Sequence, residues 1–323
     1  MQNIGLISIS SVLHFLVDGL CICCLFLLAE IYGDSFGAYG DRVSLGAILI
    51  YNLLAFLSQP LTGLLADRMS HRHWLLLWSA LLLTMAVAVA LLPFRAEWAF
   101  ITVALLLGAG NSFFHVWGGK QTVVKTGNDI RALGVFVSTG ALGLAVGFVF
   151  CSWALLYALL LVFVGLSVLY VFMDDGASQA VVDIRSNYPW LTPLTISTLV
   201  VMLMLCVCYR SFAGEVFSSG ITKTQSLILV IGVVAMLGKM AGGWIVRWIG
   251  MLPSIIVILA GVALCFLLRS DFLWVLLLGI FLMNCTMPIT LYLANLLLPR
   301  REGLAFGLLA AALIPGYLLA VYL

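Results

Sequence analysis

His14 and Asp18 are the residues of this sequence best placed to exchange protons inside an apolar environment. They lie in the segment from Ile4 to Leu20, whose other residues are apolar or small. A spacing of four residues puts both side chains on one helix face. Because charge at bilayer depth is costly unless it is paired or faces water, such residues usually mark a pathway for ions or substrate. The pair makes a proton-handling transporter the first hypothesis; the alternative is a neutral His14 that bonds a neighbouring helix, with Asp18 as a packing anchor.

Four further polar residues interrupt predicted spans, and we predict that they line a substrate cavity. They are Asn111, His115, Arg210 and Asn284. Arg210 could meet Asp18 across the molecule or bind a substrate anion through its planar guanidinium group. The alternatives are structural: Arg210 snorkels to the interface, His115 lies among interfacial aromatic side chains, and the amides bond neighbouring helices.

The composition excludes a water-soluble domain. Hydrophobic residues make up 64% of the 323 residues and charged residues only 9%, with a mean hydropathy of +1.22. Soluble domains carry about 25% charged residues. The basic residues are scattered among short loops, which argues against a nucleic-acid partner. Neither a nucleophile motif nor metal-ligand spacing accompanies the histidines, so we expect no enzyme activity, no metal and no cofactor.

The apolar stretches predict eleven membrane-spanning helices, because each is long enough to cross a bilayer. Their approximate bounds are 4–30, 43–66, 74–92, 98–119, 131–150, 153–173, 190–213, 223–247, 253–268, 272–298 and 303–322. The longest polar connection separates the first six spans from the last five. We therefore predict an all-α polytopic membrane protein with a six-helix bundle at 1–173, a cytoplasmic linker at 174–189 and a five-helix bundle at 190–323.

The charges of the loops predict the orientation in the membrane. With the N-terminus in the cytoplasm, nine basic residues fall in cytoplasmic segments and four on the opposite side. No cleavable signal peptide is evident, because the first apolar run continues well past the length of a signal sequence. We expect an integral protein of a bacterial inner membrane with a cytoplasmic N-terminus.

A charged loop follows the second predicted span. Its pattern is Gly63-x-x-x-Asp67-Arg68-x-x-x-Arg72, and a related glycine-to-charge pattern follows the eighth span. Equivalent loops in two halves are typical of transporters built from parallel repeats. At these residues the chain resembles the major facilitator superfamily, whose cytoplasmic gating motif has this form.

The resemblance implies a two-bundle transporter with a gate at this loop. Asp67, Arg68 and Arg72 are then the gate residues. In this family the loop acid typically pairs with a basic residue or a helix end of the opposite bundle. Arg131, at the start of the fifth span, is the partner that we predict for Asp67.

A narrower resemblance is to the fosmidomycin-resistance-protein branch of drug exporters. The matching elements are Ser10-x-x-x-His14-x-x-x-Asp18, Ser58-Gln59-Pro60-x-x-Gly63, Gly108-x-Gly110-x-Ser112-x-Phe114-His115 and Leu298-Pro299-x-x-x-Gly303. The branch implies export of a drug-like compound by a proton-coupled antiporter. Twelve helices are usual in such families, whereas this chain predicts eleven, with the twelfth absent.

The expected function is secondary transport of a small molecule, drug-like or a metabolite, by alternating access and with proton coupling. Its partners would be the substrate, protons and the lipid bilayer. The alternative is a non-transporting membrane subunit or scaffold. In that case the flank left by the absent twelfth helix would bind a lipid, a partner protein or another copy of the chain.

Overall fold

The computed structural model describes residues 2–69, 71, 73–92, 96–181, 188, 190–268 and 272–322, and within them the chain is helical without strands. In chain order the helices are α1 (Gln2–Phe36), α2 (Ala38–Asn52), α3 (Gln59–Arg68), α4 (Trp74–Ala90), α5 (Glu97–Thr126), α6 (Ile130–Val149), α7 (Trp153–Met173), α8 (Pro193–Ser219), α9 (Gln225–Ile249), α10 (Met251–Leu267), α11 (Leu273–Leu297), α12 (Glu302–Ala311) and α13 (Leu313–Tyr322). A π-helical turn, Leu53–Leu57, joins α2 to α3. The predicted gate residue Arg72 lies outside the described residues.

Each of the eleven predicted spans is found as a helical segment in the described part of the chain. Nine segments are long and apolar enough to cross a membrane, and α4 and α10 are two shorter apolar helices. A helix satisfies every backbone hydrogen bond internally, which hydrocarbon surroundings require. The prediction of an all-α polytopic membrane protein is therefore confirmed.

The first two helices extend well beyond their predicted bounds, towards one another. α1 continues to Phe36 and α2 begins at Ala38, so that Gly37 alone separates them. Gly37 has a φ of 55°, a left-handed conformation that glycine adopts without steric strain. Gly40 then passes so close to the backbone of Tyr32 that any side chain there would clash. The helices extend past the apolar stretches, and hydropathy alone does not detect these polar ends.

Two spans are interrupted near prolines. The second span passes from α2 through the π-helical turn into α3, which has Pro60 in its first turn. The eleventh span is divided at Ala312, and α13 carries Pro315 near its start. Proline favours such breaks because it lacks a backbone N–H and its ring crowds the preceding turn. Pro288, in contrast, lies inside the uninterrupted α11.

Small residues bring α6 into close contact with α1 on one side and α9 on the other. Gly143 of α6 lies against the backbone of Phe15 in α1. A side chain at Gly243 of α9 would meet the carbonyl oxygen of Ile130 at 2.6 Å. Close backbone approach at small residues is a common way to pack helices in lipid. Helix α6 therefore connects the helix that carries His14 to the later helices of the chain.

The apolar interior forms two main clusters. The larger is built mostly from α1–α7, but it also includes Val207 of α8 and Phe306 of α12. The smaller is built from α8–α11 together with Ile130. Both clusters therefore include residues from each side of the predicted linker. The division into bundles at 1–173 and 190–323 stays a prediction.

Candidate functional site

Asp18 lies between two imidazole rings from different helices. The Nε2 atom of His14, one turn earlier on α1, is 3.3 Å from Oδ2 of Asp18. The Nε2 atom of His115, on α5, is 3.4 Å from Oδ1 of the same carboxylate. The exposed fractions of His14, Asp18 and His115 are only 4%, 8% and 8%. We call these three residues the His–Asp cluster.

The other ring nitrogens fix where the histidine protons lie. Nδ1 of His14 is 2.8 Å from the carbonyl oxygen of Phe136, and Nδ1 of His115 is 2.9 Å from that of Asn111. Because a carbonyl oxygen only accepts, each Nδ1 must carry the hydrogen. In a neutral ring each Nε2 then lacks a hydrogen, yet both face the Asp18 carboxylate. A proton added between the carboxylate and either ring would complete a hydrogen bond, so the geometry suits a site that gains and loses a proton.

Asn111 supplies a further contact to this carboxylate. Its Nδ2 atom donates to Oδ1 of Asp18 at 3.2 Å and lies 3.9 Å from the sulfur of Cys21. Its Oδ1 atom is buried without a hydrogen-bond partner among the described residues. Asn111 was predicted to line the substrate cavity together with His115. Both residues instead contact Asp18 directly, and a cavity role for them stays a prediction.

Because Gly140 of α6 has no side chain, His14 and Asp18 of the His–Asp cluster can occupy the space beside it. A Cβ atom there would clash with the carboxylate of Asp18 and would lie 2.8 Å from Cδ2 of His14. We expect Gly140→Ala to reduce proton-coupled flux by at least about tenfold, because overpacking of this kind costs about 1–3 kcal/mol or forces the groups apart. Initial flux rates and thermal unfolding of the purified variant measure the two effects.

Gly165→Ala is the matched control for this substitution. Gly165 lies inside α7, and no atom lies within 4 Å of the position that its Cβ would take. An Ala at this position should therefore leave flux unchanged. Equal flux from both variants would show that the space at Gly140 is not needed by the cluster.

The same three side chains have the chemistry of a transition-metal site. One ligand atom from each residue lies within 4.8 Å of the others, and both Nδ1 atoms are held by backbone carbonyls, as is usual for metal-binding histidines. The spacing of these residues does not indicate a metal site, since His115 is distant along the chain from the other two. Lys239 lies within electrostatic range of Asp18 and already supplies a positive charge. A dication would add twice the charge of one proton to this buried site, so we favour the proton.

Two cationic side chains lie on the later helices. Arg210 of α8 is buried, and its Nη1 atom has no hydrogen-bond partner among the described residues. Lys239 of α9 lies within electrostatic range of both Arg210 and Asp18. Asn284 of α11 is half-buried, and its Nδ2 atom donates to the carbonyl oxygen of Ile280 in its own helix at 2.8 Å. Lys239 therefore interacts electrostatically with Asp18, whereas a cavity role for Asn284 stays a prediction.

Asp67 binds the beginning of a helix from the opposite half of the chain. Its Oδ1 atom accepts from the N–H of Gly303 at 3.0 Å, and its Oδ2 atom accepts from the N–H of Leu304 at 2.9 Å. These are unpaired backbone donors in the first turn of α12, where a negative charge is favourable. Lys120 of α5 adds an ion pair of 3.1 Å to Asp67 and also donates to the carbonyl oxygen of Ala66.

The glycines of α3 and α12 allow this contact. A side chain at Gly63 would clash with the backbone of Gly303, and one at Gly303 would lie 2.8 Å from the carbonyl oxygen of Gly63. The two helices therefore touch backbone to backbone at the end that carries Asp67. This tight contact places the carboxylate within reach of the α12 amides.

The predicted pairing of Asp67 with Arg131 is wrong. Arg131 binds Asp129, two residues earlier, with Nη2 at 2.6 Å from Oδ2, and its guanidinium lies 5.4 Å from the ring centre of Trp244. Asp129 also caps α6 by accepting from the backbone N–H of Arg131. The hydrogen-bonded guanidinium lowers the pKa of Asp129 from its usual value. Arg68 is exposed, and its gate role stays a prediction.

A buried ion pair near the predicted linker was not foreseen. Lys125 of α5 binds Asp174 at the end of α7, and His73 lies 3.1 Å from the same carboxylate. Lys125 also donates to the carbonyl oxygen of Ala177 at 2.6 Å. The exposed fraction of Lys125 is only 1%. These contacts fix the start of the linker against α4 and α5.

Apolar spans, buried ionisable groups near the helix centres and a contact that joins the two halves are the features of a polytopic membrane protein of the transporter class. A model of the Major Facilitator Superfamily matches residues 7–320. The chain belongs to this superfamily. A search of curated proteins found no match.

Solved transporter structures share the fold. The human organic anion transporter MFSD10 (TETRAN) matches with a TM-score of 0.69 and 16% identity, covering 99% of this chain and 94% of its own. The Escherichia coli fucose:proton symporter FucP gives 0.69 and 13%, with coverages of 99% and 90%. An outward-facing bacterial homologue of the iron transporter ferroportin gives 0.56 and 16%, with coverages of 98% and 90%. At these identities the similarity establishes the fold alone.

Proposed function

We propose that this protein is a proton-coupled secondary transporter that moves a small molecule by alternating access. The observation that supports the proposal best is the buried His–Asp cluster inside a transporter fold. Burying titratable groups at this depth costs free energy, so such groups usually have a function. Imidazole is the side-chain group whose unperturbed charge change lies nearest to neutral pH, a property that suits a proton that loads on one side of the membrane and leaves on the other.

The gate contacts support the proposal of alternating access. Asp67 joins α3 to the N-terminus of α12, and the glycines let the two helices meet. We infer that this contact holds one end of the molecule closed while substrate enters from the other end. The contacts of the Asp67 carboxylate are two hydrogen bonds and one ion pair, which can break and re-form during a cycle.

The predictions of proton coupling, transport direction, substrate and localisation are more specific than the fold. The FucP relative is a fucose:proton symporter by name, which makes proton coupling chemically reasonable for this chain. The assignment to the fosmidomycin-resistance branch, antiport, export of a drug-like compound and a bacterial inner membrane remain predictions. So do the cytoplasmic N-terminus and a protein partner at the flank of the later helices.

Proton flux in liposomes tests the proposal. The purified protein is reconstituted with a trapped pH indicator, and sugars, organic acids and organic amines are added in turn. We expect one class to drive proton movement that disappears when a protonophore is present. Substrate flux that is independent of the pH gradient would contradict proton coupling. Absence of any flux would instead favour the alternative of a non-transporting membrane subunit.

A further inference from the structure

Arg210 is a buried cation without a counter-ion among the described residues. Its exposed fraction is 8%, and its Nη1 atom has no hydrogen-bond partner there. Val207, one turn earlier, packs in the larger apolar cluster, and Ala213, one turn later, packs in the smaller one. Arg210 therefore lies where the two clusters meet. A guanidinium left unpaired in such a place carries a large desolvation cost, which a bound anion would offset.

Lys239 adds a second positive charge to this region. It lies on α9, and the charges of Arg210 and Asp18 both act on it. The single carboxylate of Asp18 is shared with two histidines and Asn111. The described groups of this region therefore sum to an excess of positive charge. An incoming anion would reduce that excess, whereas a cation would increase it.

We propose that Arg210 and Lys239 form the binding site for a small organic anion, such as a carboxylate or phosphonate with an apolar body. The planar guanidinium offers two parallel N–H donors to such a group, and the lysine offers a compact charge. The apolar neighbours of Arg210, such as Val207, suit the hydrocarbon part of the anion. This inference rests on the proposed transport function and names its substrate class.

The charge arrangement also predicts how the anion and the proton are coupled. A proton bound by the His–Asp cluster adds positive charge near Lys239, so it should strengthen anion binding. By thermodynamic reciprocity, a bound anion should strengthen proton binding by the same factor. Proton and anion would then travel together, which is symport rather than the antiport that the sequence resemblance implies.

Several groups on the surrounding helices contact the Asp18 carboxylate or lie within electrostatic range of it. They are His14 and Cys21 on α1, Tyr51 on α2, Asn111 and His115 on α5, and Lys239 on α9. From α6 the approach is made by Gly140, which cannot titrate. Among these side-chain types only imidazole has an ordinary titration range that includes neutral pH, so we assign the expected pH dependence to the His–Asp cluster.

Shape-matched probes test the charge preference. The full-length protein in lipid nanodiscs is titrated with acetate, acetamide and acetamidine, and then with benzoate, benzamide and benzamidine. Calorimetry in two buffers of different ionisation enthalpy gives both the affinity and the number of protons taken up. We expect at least one anion to bind, its neutral and cationic counterparts not to bind, and protons to be taken up with the anion. For one linked proton, affinity should rise up to about tenfold for each unit of decreasing pH.

Substitutions identify the site. Arg210→Gln should weaken anion binding by about 30-fold or more, because one partner of a buried charged contact is lost. Lys239→Gln should weaken it to a lesser extent. Arg247→Gln is the matched control, since Arg247 is exposed at the end of α9. Arg210→Met should raise the unfolding temperature of the ligand-free protein, whereas removal of an arginine that only stabilises the fold would lower it.

The outcomes separate this inference from the proposed function. Preferential binding of a neutral or cationic probe, failure of every anion to bind, or anion affinity that is unchanged in Arg210→Gln would overturn the anion site. Proton-coupled flux of a neutral sugar would do the same and leave the proposed function intact. Anion binding that depends on Arg210 but takes up no protons would support the site and contradict both symport and proton coupling.

Discussion

Asp18→Asn should abolish substrate accumulation driven by a pH gradient and leave exchange of substrate across the membrane close to that of the unaltered protein. An amide has nearly the shape of the carboxylate but does not bind a proton in this pH range. The variant can therefore still hold substrate and change conformation, but it no longer carries a proton with it. We expect the gradient-driven rate to fall by at least about 100-fold, which corresponds to roughly 2.7 kcal/mol.

Two assays on the same liposomes measure this result. One follows uptake against a concentration gradient under an imposed pH gradient, and the other follows exchange between labelled and unlabelled substrate without one. Asp175→Asn is the control, because Asp175 is an exposed acid beside the end of α7. If Asp18→Asn still concentrates substrate as the unaltered protein does, Asp18 is not the proton carrier.

Proton uptake by the His–Asp cluster should also depend on His115, which sequence spacing did not connect to Asp18. His115→Gln should shift the pH of half-maximal gradient-driven flux, because the carboxylate loses one of its two imidazole neighbours. His71→Gln is the matched control, since His71 is exposed beyond the end of α3. The pH profile of the initial rate measures the shift, and identical profiles for both variants would remove His115 from the proton site.

The spacing within one helix predicted the local part of the site. His14 and Asp18 are one turn apart, so their contact follows from helix geometry alone. The contact of Asp18 with His115 and Asn111 depends on how α5 packs against α1, and nothing in the local sequence specifies that distance. Asn111 was recognised as a polar residue in a span, but the sequence alone did not identify Asp18 as the partner of its side-chain amide.

Pairings between distant charges were predicted less well. Arg131 pairs with Asp129, two residues earlier. This local pair is favoured because it forms without the entropy cost of bringing distant parts of the chain together. Asp67 binds backbone amides, which every helix start provides, so residue type gives no direct signal for this partner. The glycines at 63 and 303 are the features of the sequence that could have indicated the contact, because close helix packing needs small residues on both sides.

Hydropathy predicted the membrane-spanning helices but not all of their ends. The eleven apolar segments follow from composition, since only helices can carry such stretches through a bilayer. The turn at Gly37 was missed because the helices on both sides continue into polar sequence. Hydropathy detects the part of a helix that lies in lipid, whereas the end of the helix is set by backbone geometry.

Asp67→Asn should leave the protein folded and reduce the transport rate to near zero. The carboxylate accepts from two backbone amides of α12 and pairs with Lys120, whereas the single oxygen of an asparagine amide cannot reproduce these contacts. Loss of one hydrogen bond to a charged group costs about 1.5–3 kcal/mol. The ratio of the closed to the open gate should therefore fall by roughly 10- to 100-fold.

Hydrogen–deuterium exchange measures the opening of this gate directly. The amides of Gly303 and Leu304 donate to Asp67 in the closed state, so their exchange should accelerate by a similar factor in Asp67→Asn. Asp34→Asn is the matched control, since Asp34 is an exposed acid near the end of α1. Unchanged exchange together with unchanged flux in Asp67→Asn would remove the gating role.

A double substitution separates the backbone contact from the ion pair. Lys120 also donates to Ala66, so Lys120→Gln alone should weaken the gate less than Asp67→Asn does. If the ion pair acts only through Asp67, then adding Lys120→Gln to Asp67→Asn should change the exchange rate of the Gly303 amide little further. Full additivity of the two effects would show that Lys120 stabilises the closed gate by another route. Near-complete non-additivity would identify one latch, in which a single carboxylate holds both the helix start of α12 and the lysine of α5.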